Sequence, residues 1–409
     1  MSRPQIAFFD FHDVLEDFYP RYGVTQRAFA HSWAASGNHA WVTLLQREIG
    51  DVTWIASSMA PELAVARHEL TGARVVITRS SWAHRRLWRT YYTSRHAWRW
   101  QQRYRAYGAV SSYLAPLSLS LLGALRDARP DLVMLQDYAT GRYDVLAAAG
   151  RALGARVVAY HSGSDAAAYR GRVLRRATLR LADRLFVSSA AEADWLAQRF
   201  GVARDRLPVL LTPIDTEAFR PEDRAVAAAR AGLPPGGRRA LFLGRLDDGV
   251  KRVSALIDAI AALPDGELVV AGDGEDRAAL ERHAAQVAPG RVRFTGWVDG
   301  ADALRALLNA CDCLVLASIR EGFPTVVGQA LACGTPVLAT RVGGVAELVQ
   351  HGRTGWLVEP RDDGALRSAL AEALSGDTAS RMSAAARMAA EERLAPAAVA
   401  QALRRELAL

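Results

Sequence analysis

Short apolar runs of strand length recur along this chain, with longer stretches of helical period between them. No other feature narrows the choice of fold as much. "QIAFFDF", "RVVIT", "DLVML", "RVVAYH" and "RLFVSS" punctuate the first half, and "RALFLG", "ELVVAG", "RVRFTG", "CLVLAS" and "TPVLAT" the second. Between them, stretches such as "VSALIDAIAAL" and "DRAALERHAAQV" repeat apolar residues at intervals of three and four. This is the pattern of repeated βα units around parallel sheets. A length of 409 residues leaves room for two domains with full cores. The rhythm breaks near residue 215, in "LPVLLTPIDTEAFRPEDR", and restarts at "LPPGG" over 233–237. The expectation is two doubly wound domains, residues 1–214 and 215–390, followed by a C-terminal helix over 391–409 in an Ala-rich tail.

Composition excludes several classes. No apolar run reaches the roughly 18 residues of a membrane span. The N-terminus, "MSRPQIAFFDFHDVLEDF", turns acidic before a secretion signal's apolar core could form. Cys311, Cys313 and Cys333 are odd in number and read as packed thiols in a reducing cytoplasm. The net charge of +8 is local: residues 79–107 hold eight arginines and no acid, while the rest balances 43 basic against 43 acidic residues. Trp82, Trp88, Trp98 and Trp100 lie in the same segment, and Leu87, Tyr91 and Trp98 fit one helical stripe. Three readings stay open for it: contact with an anionic membrane surface, contact with an acceptor, and a helix with solvated arginines. A nucleic-acid partner is not expected.

Lys251 is the only lysine among 51 basic residues. In a chain that uses arginine everywhere else, one retained ammonium points to a place where a planar fork does not fit. It follows Gly244 and Arg245, at the end of the second domain's first strand. Ligands of doubly wound sheets bind outside the carboxyl ends of strands, where glycine lets backbone approach an anion. Arg245 and Lys251 are therefore candidate anion ligands. Further on, Pro324 suits the first turn of a helix, with Thr325 and Val326 offering N–H groups. Glu321 sits just before that helix, as a hydroxyl ligand or a cap. Gln329 lies a little over two turns on, facing the same ligand or serving as a core amide.

The stretch from Glu321 resembles the nucleotide-sugar signature of retaining glycosyltransferases of the GT-B fold, family 4 in particular. The resemblance rests on Glu321-Gly322-Phe323, Ala330, Ala332, Gly334, Pro336-Val337, Gly343-Gly344, Glu347, Gly352 and Gly355. "GRLDDGVKR", "AGDGEDRAAL", "ADRLFVSSAAEADWL" and "TPIDTEAFRP" are similar to further family patterns. The resemblance implies two Rossmann-like domains facing across a cleft, with the acceptor on the first and a nucleotide-sugar on the second. It implies that Arg245 and Lys251 bind the departing diphosphate, that Gly244, Gly274 and Gly322 to Val326 (Phe323, Pro324 and Thr325 between) line the donor site, and that Glu321 holds sugar hydroxyls. It also implies that His161, in "VVAYHSGSD", faces the reacting sugar.

Two departures stand out. The family's second glutamate, which grips the ribose diol, is Gln329 here, so a charge-assisted bond is lost. The paired glycines after the first strand are absent, and Asp10, Asp13, Glu16 and Asp17 cluster there instead, as ligands for acceptor hydroxyls or as solvated groups. No Asp-x-Asp triplet occurs, and no carboxylate nucleophile is evident. The resemblance thus implies a cytoplasmic, metal-independent, retaining transferase without a cofactor, which moves a hexose-type sugar to a hydroxyl acceptor. The alternatives are a phosphorylase-like enzyme using a sugar phosphate and a non-catalytic sugar-nucleotide-binding protein.

Overall fold

The computed structural model describes residues 3–10, 12–17, 23–33, 37–92, 109–161 and 172–408. All ten apolar runs quoted above are strands, and most bury nearly every side chain on a sheet covered from both sides, whereas "RVRFTG", at a sheet edge, alternates half-buried and exposed residues. The chain divides into two units, Met1–Leu210 with Ala400–Leu409, and Leu211–Val399.

The first unit holds β1 (Gln5–Phe9), β2 (Asp51–Ser58), β3 (Val65–Arg67), β4 (Arg74–Arg79), β5 (Leu132–Gln136), β6 (Arg156–Tyr160) and β7 (Arg184–Phe186). Their order is β3-β4-β2-β1-β5-β6-β7, parallel except for β3 against β4. Ile6 lies opposite both Val52 and Leu132, so β1 is central. The direction of winding reverses between β1 and β5. That switch opens a crevice above the carboxyl ends of those strands. On one side of the sheet Phe29 packs edge-on to Trp54, with ring centroids 4.8 Å apart. On the other, Tyr138, Tyr143, Leu146, Leu196 and Phe200 form a second buried cluster.

The second unit holds β8 (Arg239–Leu243), β9 (Glu267–Ala271), β10 (Val292–Gly296), β11 (Cys313–Leu316), β12 (Val337–Thr340) and β13 (Gly355–Val358). All are parallel, in the order β10-β9-β8-β11-β12-β13, and the switch falls between β8 and β11. Arg387 secures the irregular entry to this unit, donating to the carbonyls of Thr216, Phe219 and Ala332 at 2.9, 2.9 and 2.7 Å. Cys311, Cys313 and Cys333 are buried free thiols, and burial raises their pKa values, to about 12 for Cys311 and Cys333.

The Ala-rich tail is two helices, Thr378–Leu394 and Pro396–Leu407, rather than one helix over 391–409. Pro396 cannot donate to the preceding turn, so it starts a new helix. The second of these helices returns to the first unit: the Arg156 guanidinium bonds the carbonyl of Leu407, and that of Arg404 bonds the carbonyl of Glu48. No helix among the described residues is long and apolar enough to cross a membrane.

Candidate functional site

In the second unit the loops after β8 and β11 lie side by side at the switch point, where fold geometry alone places a ligand. The β8 loop begins with Gly244, whose N–H donates to the carbonyl of Ala271 at 3.0 Å. It continues into a single helical turn, Asp248–Lys251, and then bends through Arg252 at φ 51° before helix Val253–Ala261. A left-handed arginine is unusual, and such strain persists only where surrounding bonds dictate it. Here the Arg252 guanidinium bonds Asp363 at 2.8 Å, and Asp248 receives the backbone N–H and hydroxyl of Ser254 at 2.8 and 2.6 Å.

That bend sets the position of Lys251. Its ammonium donates to Glu321 Oε1 at 2.6 Å, with the two side chains only 19% and 9% exposed. The Ser318 hydroxyl donates to the same oxygen at 2.6 Å. The N–H of Ile319 bonds the carbonyl of Val250 at 2.9 Å, which ties the two loops together. Glycine makes this proximity possible at two places. A Cβ on Gly343, at φ 48°, would stand 1.8 Å from the carbonyl oxygen of Glu321. A Cβ on Gly274 would stand 2.2 Å from that of Leu246. No larger residue fits either position without moving a loop.

Pro324 is the residue before helix Thr325–Ala332 rather than part of its first turn, and no side chain caps that helix. The first N–H groups of a helix have no partner within it, so those of Thr325 and Val326 suit an anion. Gly322 bonds through its carbonyl to the N–H of Gly344 at 2.7 Å, and Phe323 is buried beneath the loop. Gln329, on the same helix, is half-buried, and its side-chain amide has no hydrogen-bond partner among the described residues. Arg245 does not join Lys251. It is 69% exposed and lies 3.8 Å from Asp247.

His161 belongs to the first unit, at the end of β6. Its Nδ1 meets Glu192 Oε1, which also receives the Tyr138 hydroxyl at 2.8 Å. Glu192 Oε2 takes the N–H and hydroxyl of Ser188, both at 2.9 Å. Burial works against a charge on His161, but Glu192 and then Asp137 outweigh it and raise the imidazole above its ordinary pKa. Burial likewise opposes the charge on Glu192, yet the His161, Ser188 and Tyr138 bonds hold it below the usual carboxylate range. Glu192 lies inside the family-like stretch "ADRLFVSSAAEADWL", but nothing in the sequence pairs it with His161, which stands 31 residues away.

The acidic cluster after β1 is not solvated. Asp10 is buried against Asn38 and lies 3.5 Å from His12. Asp13 accepts from Ser111 at 2.8 Å, and Glu16 from Ser58 at 2.6 Å. Asp17 accepts from Trp88 Nε1 at 3.1 Å. Burial, then the charge of Asp13, push Asp17 up to about 7. Trp88 lies on helix Trp82–Tyr92, where Trp82 is 68% exposed with the Arg86 guanidinium 5.9 Å from its ring centre. His84 on that helix is buried between the hydroxyls of Ser80 and Ser111, at 2.7 and 2.9 Å. Burial, then the charge of Arg85, lower its pKa to about 4. Trp98 and Trp100, and with them the stripe to Trp98, lie outside the described residues.

Residues 237–376 match the family described as "Glycosyl transferases group 1", and residues 111–218 match "Glycosyltransferase Family 4". The D-inositol 3-phosphate glycosyltransferase of Streptomyces scabiei is 35% identical over 233 residues, 52% of this chain and 51% of that protein. The protein of that name from a Mycobacterium species is 36% identical over 189 residues, 45% of this chain and 43% of that one. The chain thus spans about half the length of the curated relatives it matches. Anabaena HepE, solved in complex with UDP, superposes with a TM-score of 0.70 at 18% identity over 99% of both chains. Sucrose-phosphate synthase of Thermosynechococcus elongatus gives 0.72 at 21% identity, over 99% of this chain and 100% of that one. At these identities the likeness is one of fold.

Proposed function

We propose, from the premise that this chain belongs to the group 1 glycosyltransferases of family 4 and has their GT-B fold, that it transfers a hexose-type sugar from a nucleotide-diphosphate donor to a hydroxyl acceptor, with retention and without a metal ion. The observation that carries this reading is the Lys251–Glu321 pair at the β8/β11 switch point. A diphosphate bound there meets a fixed ammonium and the uncapped N–H groups of helix Thr325–Ala332, and a sugar hydroxyl meets the Glu321 carboxylate. Arg245 closes on the diphosphate as a second cation, exchanging its long contact with Asp247 for a stronger one.

In the reaction the bond from the sugar's anomeric carbon to the β-phosphate oxygen breaks, and the acceptor oxygen bonds to that carbon on the same face. The acceptor's proton passes to the departing phosphate, so no protein base is required for it. Charge gathers on the diphosphate in the transition state, where Lys251 is already in place. A UDP-sugar is the first donor to try, because the Anabaena neighbour was solved with UDP. The chain works in the cytoplasm, with residues 79–107 resting peripherally on anionic membrane, a reading supported by the exposed Trp82 and the Arg86 beside it.

The test is turnover of a panel of nucleotide-sugars in excess EDTA, with proton NMR of the first-formed product. The expected outcome is undiminished activity and the donor's anomeric configuration kept. Loss with EDTA, or inversion, overturns the mechanism. Nucleotide binding without turnover on any acceptor would favour a non-catalytic binder, the reading that the unbonded Gln329 amide supports.

A further inference from the structure

The first unit has a cavity of about 900 Å³ at the amino ends of its strands, the opposite end of the sheet from the crevice above β1 and β5. Small-molecule sites occupy roughly 300–1,000 Å³. The starts of β1, β2 and β4, at Gln5, Asp51 and Arg74, form the floor. One wall is the turn between β3 and β4, with Arg67 and Gly72. The other is the C-terminal end of helix Leu119–Asp127 and the turn after it, with Arg126, Asp127 and Arg129.

Four guanidiniums and two carboxylates line this cavity. Both carboxylates are already matched: Asp51 lies 3.6 Å from Arg3, and Asp127 3.4 Å from Arg126. Arg67, Arg74 and Arg129 have no ion pair among the described residues. Arg67 and Arg74 are direct partners in the antiparallel β3–β4 pairing, so their side chains leave the same face side by side. Like charges placed directly opposite destabilise a strand pair. The Arg67 guanidinium donates once, to the carbonyl of Gly72 at 2.9 Å, and keeps its other donors for a ligand. Arg129 stands in the left-handed region at φ 43°, with Pro130 after it. Its N–H bonds the carbonyl of Arg126 at 3.1 Å, so the turn that carries it has a set shape.

We propose that this cavity is a ligand site for a small molecule bearing two phosphate groups, one held between Arg67 and Arg74 and the other against Arg129. A guanidinium fork meets two phosphate oxygens at once, and an anion between Arg67 and Arg74 removes their repulsion. Two phosphates are assigned because the unmatched cations stand on two walls of a cavity much larger than one phosphate. Every residue invoked belongs to the first unit, whereas Lys251 and Glu321 belong to the second, so the proposal does not rest on the transferase reading.

The experiment is calorimetric titration of the full chain with inorganic pyrophosphate and with inorganic phosphate. Pyrophosphate also suits Lys251, so the parent is Lys251→Ala, compared with the same chain carrying Arg74→Gln and Arg129→Gln. The parent should bind pyrophosphate ~10-fold or more tighter than phosphate. The two added substitutions should weaken pyrophosphate binding ~100-fold or more, about tenfold for each charge-assisted contact removed. No binding to the parent, equal affinity for the two anions, or an affinity that the added substitutions leave unchanged overturns the proposal.

Thermal unfolding of the wild type and of Arg74→Gln/Arg129→Gln, both with Lys251 in place, guards against poor folding of the parent. Arg74 and Arg129 are exposed, and removing Arg74 ends a repulsion, so the unliganded variant should melt at the wild-type temperature or above it. Pyrophosphate should raise the melting temperature of the wild type more than that of the variant. Equal shifts defeat the proposal. A lower melting temperature in the unliganded variant would mean that these arginines hold the fold and not a ligand, and the proposal fails. Turnover enters none of these measurements, so failure of the transferase reading is told apart from failure here.

Discussion

Lys251 and Glu321 are 70 residues apart in sequence and 2.6 Å apart in space. Lys251→Ala leaves a nearly buried carboxylate with only the Ser318 hydroxyl, which should cost about 1–3 kcal/mol in stability. Turnover should drop by ~100-fold or more, as loss of a preplaced transition-state donor usually does. Adding Glu321→Gln should recover part of the stability and none of the turnover. A double-mutant cycle by denaturation and kinetics checks both, and full turnover in Lys251→Ala would refute the assignment. Gln329 is a milder case. Its amide is unbonded, so Gln329→Glu breaks no contact and should barely alter the melting temperature. If it faces the ribose, the new carboxylate should tighten nucleotide binding by about 1 kcal/mol, measured by calorimetry. Unchanged affinity would place the amide outside the donor site. The lysine was legible in the sequence because it is unique. Glu321 was legible as a ligand or cap at a helix start, but its pairing with the lysine was not, nor that of Glu192 with His161, because neighbours in space leave no mark on residue type at distant positions.

Helix Trp82–Tyr92 is held by two titratable groups that pull in opposite directions with pH. His84, with its pKa lowered to about 4 by burial, is stabilising while neutral. Its contribution is complete above the ordinary histidine value near 6.5 and is lost as pH falls toward 4. Asp17, raised to about 7, is stabilising while protonated, so its contribution is complete below the ordinary carboxylate value near 3.8 and is gone once pH has risen through 7. Between about 4 and 6.5 the two contributions offset each other, so the net loss of protection comes as pH rises through 7. Amide exchange, corrected for its intrinsic rate, should accelerate over 82–92 on going from pH 6 to pH 8, and Asp17→Asn should flatten that rise. The same rise in Asp17→Asn would mean another group is responsible. At this scale the sequence was a good guide wherever apolar residues ran unbroken, as in β1, β8 and β11. It was a poor one at β2, a strand next to the centre of the first sheet. Thr53, Ser57 and Ser58 interrupt its apolar run, yet all three are buried, and Ser57 and Thr78 satisfy each other across the strands at 3.2 Å. Polar residues paired with neighbours pass for loop when only hydrophobicity is counted.

Across the whole molecule the excess positive charge sits on one segment, and this gives the membrane reading a direct test. The protein should pellet with anionic but not neutral vesicles, and less so as salt screens the attraction. Arg85 is tied back to the carbonyl of Ser80, so the more telling pair to replace is Arg86 and Arg89 with glutamine. That change should abolish pelleting and leave nucleotide affinity, which resides on the other unit, untouched. Wild type that stays in the supernatant at low salt would end the membrane reading. The division of the chain carries a different consequence. Residues 211–399 form one unit, while residues 400–409 complete the other. Chain order alone therefore means that the first unit cannot cover the surface beside Arg156 and Glu48 until the whole of the second unit has been made.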